Sequence, residues 1–458
     1  MKLIYDVESK PKFGQLIVFA IQQLLAIMAA TLVVPVIINS NVGLEGKDAM
    51  STAAALLGAG VGTLVYILFT KRKSPVFLGS SFAFIGSMTA AFAGATTVAL
   101  GYVGIIMGAF FAGLVYVVIA IVVKLAGVNW LNKLMPVAVI GPTVAIIGLS
   151  LAGNAVGDLQ KSNLEGGSIY VAIICGIVTL IVTTVCSTYG KKMMKLIPFI
   201  LGICSGYLLA SIFYIIGAIT KNPALQIINY APITALFANG ITLDSFFTLP
   251  SFTFLKAFGG FGELNGSYIG TIAMAYIPVA FVVFAEHIAD HKNISSIIGR
   301  DLLEEPGLSR TLLGDGVGSM AGALFGGCPN TTYGESVACV AITRNASVST
   351  IITAAIGAII ISFFSPFVAI VNSIPSCVMG GVCMALYGFI AVSGLKMIQK
   401  VDLNKNRNLF VVSAILIAGI GGLSLTFGKI QITSIATALI LGILVNIILS
   451  KEKDEEAE

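Results

Sequence analysis

Fourteen runs of mostly apolar residues follow one another along the chain, with little charge inside any of them. A helix that crosses a bilayer needs roughly 20 consecutive, predominantly apolar residues. Segments 14–38, 50–70, 100–123, 134–152, 168–187, 196–219, 268–290, 350–372, 376–395, 408–425 and 431–449 meet that requirement, and 75–93, 311–327 and 331–345 are shorter or interrupted. Charged residues make up 10% of the 458 and hydrophobic residues 57%, whereas a soluble domain is nearer about 25% charged because its surface must stay wet. A soluble enzyme, a disordered chain and a nucleic-acid binder are excluded. The sequence predicts an all-α polytopic membrane protein, and the net charge of +5 belongs to its water-facing loops. Glycines such as Gly58, Gly60 and Gly62 inside the runs suit close helix contact in lipid.

Charge placement sets the orientation. With the N-terminus in the cytoplasm and a crossing at each of fourteen spans, 21 of the 26 basic residues fall inside. Only Lys47, Lys161, Lys221, Lys256 and Lys429 fall outside. That is the bias of the positive-inside rule, and adding or dropping one span would invert it. Both termini are expected in the cytoplasm. No removable signal is read at the N-terminus, the stub 451–458 is a solvated tail, and the connection near 220–267 is assigned no chemistry. The seven cysteines (Cys175, Cys186, Cys204, Cys328, Cys339, Cys377 and Cys383) sit in apolar stretches without a CxxC pair, and the chain has only two histidines. They are expected to be small packing residues, with no disulfide framework, metal site or cofactor.

Two segments break the helical pattern. Pro75 to Phe84, with Gly79-Ser80-Ser81 at its centre, reads as a short extended stretch leading into a half-helix, and Gly326 to Glu335, around Pro329, has the same grammar. Extended backbone at membrane depth survives only where it lines a cavity or is buried in protein. The two segments are the third span of each seven-span half, which points to a substrate site between inverted repeats. Nearly all acids lie in loops. The exceptions are Glu286 and Glu335, with Asp290 and Asp315 as further candidates. A carboxylate at a span's centre costs roughly 2.5–3.5 kcal/mol on insertion scales and is a functional candidate by default. Residues 290–292 could equally be a water-facing helix end, and Asp315, between Gly314 and Gly316, reads as an end residue. His287 points about 100° away from Glu286 around the helix, so direct pairing is not expected.

Pro329-Asn330-Thr331-Thr332-Tyr333-Gly334-Glu335, running on to Ala341-Ile342-Thr343-Arg344, resembles the signature of the nucleobase–ascorbate transporter (nucleobase:cation symporter-2) family, in the form of its uracil permeases. Ala285-Glu286-His287, Gly79 to Phe84, Ala30-Thr31, and Pro375 to Gly388 with Tyr387 are similar too, so the resemblance covers essentially the whole chain. It implies fourteen spans in two inverted seven-span repeats, with short extended stretches in spans three and ten. It also implies a core domain of residues 1–125 (spans 1–4) and 268–373 (spans 8–11) moving against a gate domain of residues 126–220 (spans 5–7) and 374–450 (spans 12–14). The extracellular loop is then 221–267 and the cytoplasmic tail 451–458. The implied cargo is uracil carried with a proton, by a homodimer in the plasma (inner) membrane. The implied substrate pocket is Ala30, Phe82, Glu286, Tyr333, Gly334, Glu335 and Tyr387. Permeases of this kind can carry a histidine four residues after the span-eight glutamate. Here Asp290 holds that position and His291 follows it, so the implied proton-coupling set is Glu286, Asp290 and His291.

The chemistry suits a flat heterocycle. Uracil presents two N–H donors and two carbonyl acceptors, which carboxylates and free backbone amides can match. A purine such as xanthine remains the rival cargo, although purine carriers tend to open the motif with Gln-Asn or Glu-Asn. An anion transporter of the same architecture would carry a cytoplasmic domain after the last span and a basic or neutral residue at position 335. A membrane enzyme would need a nucleophile, a metal or an acid–base set on one aqueous side, and a channel would need repeated pore motifs. The sequence shows none of these.

Overall fold

The computed structural model describes residues 3–127, 134–191, 193–238, 240–427 and 430–451. The expected charged tail beyond Lys451 lies outside the described residues, as do Lys133, Lys192 and Lys429 of the charge pattern. In chain order the first elements are α1 (Phe13–Val42), α2 (Thr52–Phe69), β1 (Leu78–Ser80), a 3-10 turn (Phe82–Phe84) and α3 (Ile85–Ala93). Next come α4 (Val98–Ala126), α5 (Val137–Ser150), α6 (Ala152–Leu159), α7 (Ile169–Tyr189), α8 (Met193–Leu196) and α9 (Pro198–Thr220). Two short helices, α10 (Ala231–Ala235) and α11 (Thr253–Ala257), lead to α12 (Gly266–Ile298) and α13 (Leu308–Gly326). Strand β2 (Asn330–Thr332) precedes α14 (Gly334–Thr343), α15 (Val348–Ser362), α16 (Ser365–Ser373) and α17 (Ser376–Ile398). The chain closes with α18 (Asn406–Ile420), the hairpin strands β3 (Leu425–Phe427) and β4 (Ile430–Ile432), and α19 (Ser434–Ile448).

Eight helical stretches among the described residues are long and apolar enough to cross a membrane, and shorter apolar helices supplement them. Every apolar segment read from the sequence coincides with a helix or a strand followed by a helix. The segment 350–372 is split into α15 and α16. The hairpin β3–β4, with Leu425 opposite Ile432, had no forerunner in the hydropathy pattern, because alternation over three residues is too short to register. Helix starts follow capping rules. Ser51 Oγ accepts from Ala54 N at 3.2 Å, Thr97 Oγ1 from Leu100 N at 3.2 Å, and Asn265 Oδ1 from Tyr268 N at 2.9 Å. Gly43 and Gly299 end α1 and α12 at φ of 73° and 71°, a conformation that favours glycine.

The helices pack as two sets. Helix α13 lies against α2 and α4, α15 against α1 and α2, and α12 against α4; separately, α17 lies against α5, α6 and α7, α7 against α9, and α18 against α5 and α19. Small residues make the approaches possible. A Cβ on Gly58 of α2 would stand 2.5 Å from the Gly322 carbonyl of α13, so the two backbones are in direct contact. Association in lipid draws on this packing rather than on expulsion of water. Gly58→Val should therefore lower thermal stability by about 3 kcal/mol, the upper end of overpacking costs. Gly157→Ala in α6, where an added Cβ meets nothing within 4 Å, should raise it by about 0.5–1 kcal/mol. Thermal unfolding in detergent checks both, and equal responses would contradict the contact.

Six cysteines are buried as packing residues, and Cys204 is exposed on α9, contrary to the expectation for it. Its position on an outward face of a helix whose neighbours Leu208 and Ile212 are also exposed explains the difference. Within the connection 221–267, Lys256 Nζ donates to the Ala49 carbonyl at 2.5 Å and sits 5.2 Å from the Tyr102 ring centroid, which ties the connection to α4. Burial holds this ammonium below its usual pKa, with Asp48 pulling the other way.

Candidate functional site

The two interrupted segments meet. Strands β1 and β2 pair antiparallel, with Leu78 opposite Thr332, Gly79 opposite Thr331 and Ser80 opposite Asn330. The ladder runs one step further at each end, through Ser81 N to Pro329 O (2.9 Å) and Tyr333 N to Phe77 O (3.2 Å). Backbone that is not helical is thus satisfied by protein, as the bilayer interior demands. Side chains from α2 and α14 complete the accounting. Thr63 Oγ1 both accepts from Leu78 N (2.9 Å) and donates to Leu78 O (3.2 Å). Asn330 Nδ2 donates to Gly58 O at 2.9 Å, Tyr333 OH to Ser80 O at 2.7 Å, and Ser336 Oγ accepts from Phe77 N at 3.0 Å while Gln23 Nε2 donates to it. Gly79 is required here because a Cβ would run into the Tyr333 ring.

Each strand hands over to a helix start. Phe82 opens the 3-10 turn before α3, and Gly334 opens α14. The first amides of a helix have no intrahelical acceptor, so both helix starts offer N–H groups. Glu335, second in α14, stands where the helix dipole favours negative charge. A cavity of about 650 Å³ opens in front of this pair. Phe82, Glu286, Asp290, Tyr333, Gly334 and Glu335 are on one wall, with Thr331 and Thr332 between them. Apolar side chains of α5 and α17 (Val144, Ile147, Leu386, Phe389 and Ile390) form the facing wall. Glu286, Asp290 and Glu335 are half-buried, and Glu286 is within electrostatic reach of the other two. Asp290 Oδ2 accepts from Thr332 Oγ1 at 2.8 Å, which fastens α12 to β2.

The remaining residues expected at the site stand behind its surface. Ala30 is 1% exposed within the core packing of α1, and Tyr387 is 2% exposed. The Tyr387 ring meets Phe82 edge-on at 6.1 Å between centroids. His291 is fully buried and turned from the cavity, with Nε2 2.6 Å from Tyr66 OH and Nδ1 2.8 Å from the His287 carbonyl. A carbonyl only accepts, so Nδ1 carries the hydrogen. Helix α12 continues to Ile298, twelve residues or about 18 Å beyond Glu286. His291 is therefore no water-facing end, whereas Lys292 beside it is exposed.

Asp315 is not an end residue. It lies in the middle of α13 with no solvent exposure, because Gly314 and Gly316 let α13 press against Tyr66 and Tyr116. Its Oδ2 is 2.7 Å from His287 Nδ1, and both side chains are fully buried. The second ring nitrogen of His287 is 3.0 Å from Thr311 Oγ1, whose single hydrogen goes to Leu308 O at 3.0 Å. Nε2 must then be the donor to Thr311, and a further proton sits between Nδ1 and Asp315. The His287 and His291 rings stack at 4.0 Å. Helical spacing only separates His287 from Glu286 and names no partner for it. The Gly-Asp-Gly of α13, facing a histidine one helix away, was the signal for the pair. The apolar wall had none, since its residues look like any others in a membrane helix.

Known proteins match this chain along nearly its whole length. A family model described as the Permease family (Xan_ur_permease) matches residues 14–428. The uracil permease of Bacillus caldolyticus is 39% identical over 98% of this chain and 95% of its own. That of Bacillus subtilis (strain 168) is 37% identical over 96% and 94%. Among solved structures, SLC26A9 superposes with a TM-score of 0.63 at 10% identity, covering 96% of this chain and 66% of its own; that likeness is one of fold. With the family match spanning most of the described helices and both interrupted segments, the chain belongs to the Permease family, a family of transporters and not of enzymes.

Proposed function

We propose that the protein imports uracil together with a proton, by exposing one site alternately to the two sides of the plasma membrane. The observation that carries this reading is the strand pair β1–β2, which sets two helix starts and the carboxylates Glu286 and Glu335 on one wall of one cavity. The carboxylates accept from the ring N–H groups of uracil, and the amides at Phe82 and Gly334 donate to its carbonyls. Apolar residues of the facing wall keep water out, which strengthens each of those bonds. Relatives named uracil permeases support this cargo. A wall bearing three carboxylates repels an anion, which sets the site apart from the anion-transporter reading.

The two helix sets are the bodies that move. The core is α1–α4 with α12–α16, and the gate is α5–α9 with α17–α19, in fourteen spans of two inverted repeats. The cavity in front of the strands is lined at one end by Lys195, Lys396 and Lys400, all expected inside, so it faces the cytoplasm. A second cavity is lined by Lys47, Lys161 and Lys256, all expected outside. There the hydrogen bond from Ser40 Oγ of α1 to Asp158 Oδ1 of α6, at 3.2 Å, closes core against gate. Ala30 and Tyr387 support the slot from behind. Glu286 and Asp290 exchange the proton, with His291 buttressing α12 from its far side. The exposed apolar faces of the gate helices meet lipid and a second copy.

Purified protein in proteoliposomes, loaded so that the lumen is alkaline, should accumulate labelled uracil well above its level without the gradient. Unlabelled xanthine in excess should leave that uptake in place. Uptake indifferent to the gradient would remove the proton from the mechanism, and accumulation of labelled xanthine with none of labelled uracil would make the cargo a purine.

A further inference from the structure

The carboxylates at one end of the cavity have a counterpart at the other. Lys195 of α8, Lys396 in the last turn of α17 and Lys400 just beyond it all line the open end, together with the hydroxyl-bearing Ser187 and Ser393. All three lysines are exposed, no acidic side chain lines that end, and none of the three is in an ion pair among the described residues. Lys396 and Lys400 bracket the end of α17 and place two like charges on the same cavity. Orientation in the membrane calls for basic residues near the cytoplasmic face but not for their convergence on an internal cavity. Lys191, in the same connection as Lys195, lies outside the lining.

The spacing excludes the carried base as the lysines' partner. Tyr387 touches Phe82 beside the carboxylates, and Lys396 comes nine residues later, about 14 Å along the helix. A free uracil ring cannot bridge that. A ring bearing a phosphorylated sugar can, met by the flexible stems of the lysines. The cavity, at about 650 Å³, holds far more than one small heterocycle.

We propose that this end of the cavity binds the phosphate of a pyrimidine nucleoside monophosphate from the cytoplasm, with its base in the uracil slot. The inference rests on the uracil reading above and adds a regulator to it. Such a ligand keeps one ring N–H and both carbonyls for the carboxylates and helix starts, and adds a phosphate for the lysines. The acids stand on α12 and α14 and the lysines on α8 and α17, so the ligand spans the two bodies that must slide past each other. It therefore inhibits and is not carried. A filled nucleotide pool would slow import of the base from which nucleotides are made.

Competition with labelled uracil on the full-length protein in nanodiscs, where both faces are open, tests this. Uridine 5′-monophosphate should displace uracil at a concentration at least about tenfold below that needed for uridine, a difference that salt weakens. In K195Q/K396Q/K400Q the difference should vanish while uracil itself still binds, which also reports that the variant is folded. The triple Lys→Arg variant should retain it. Equal displacement by nucleotide and nucleoside overturns the proposal, as does an advantage that survives in the glutamine variant. Inorganic phosphate displacing uracil as well as the nucleotide does would also end it, since no bridge is then needed. Absence of any uracil binding by the unaltered protein would instead strike the uracil reading itself, and this inference with it.

Discussion

Glu286→Ala and Glu335→Ala should each reduce uracil uptake at least about 100-fold while leaving the protein folded. A hydrogen bond to a charged acceptor is worth about 1.5–3 kcal/mol, and more is lost when its removal leaves a donor unpaired. At about 1.4 kcal/mol per tenfold, the upper part of that range is a hundredfold in binding alone. Both side chains are half-buried on the cavity wall, where truncation opens onto existing space, so stability should change little. The glutamine variants separate binding from coupling. Glu286→Gln keeps an oxygen acceptor but has no proton to exchange. Exchange of labelled for unlabelled uracil should survive in it better than accumulation against a gradient. Accumulation at the unaltered rate in either alanine variant would end the account of the site.

Asp315→Ala should lower the free energy of unfolding by about 3–5 kcal/mol, the cost of breaking a buried pair by removing one partner. His287 is left with Nδ1 facing an empty, fully buried space. The proton assignment sharpens the test. Nε2 of His287 is committed as a donor to Thr311, so an asparagine amide at 315 can donate to Nδ1 and restore a neutral pair. Asp315→Asn should then cost under about 1.5 kcal/mol. In the double variant His287→Ala/Asp315→Ala the loss should be smaller than the sum of the singles, because the two side chains share one interaction. Thermal unfolding in detergent compares these variants and the His287→Ala single with the original. An alanine variant as stable as the original would mean that water or another group satisfies His287.

How much of this was legible in advance depended on which physical filter wrote it into the chain. The bilayer filters by hydropathy, so the helices were readable one by one. Pro75, Gly79 and Pro329 spoil helical backbone locally, so the strands were readable as interruptions. That they pair with each other was only inferable from their matching places in the two halves. The carboxylates Glu286 and Glu335 stood out because charge is scarce in lipid. Hydropathy failed wherever the answer depended on a neighbouring helix. Asp315 looks like a helix end until α2 and α4 are seen to cover it. His291 looks wet until Tyr66, itself bonded to Ser74, is placed against it. Val144 and Phe389 of the cavity wall are indistinguishable in sequence from Ile174 or Ile212, which are exposed on α7 and α9.

The pairing of β1 with β2 also sets a timetable. Leu78 leaves the ribosome about 250 residues ahead of its partner Thr332, which at about 5–20 residues per second is a wait of roughly 10–50 s. Through that interval the first strand has unpaired peptide groups at a depth where lipid offers them nothing. The newborn first half must be chaperoned, by the insertion machinery or by provisional contacts with its own helices. Neither half made alone can finish the strand pair that backs the cavity.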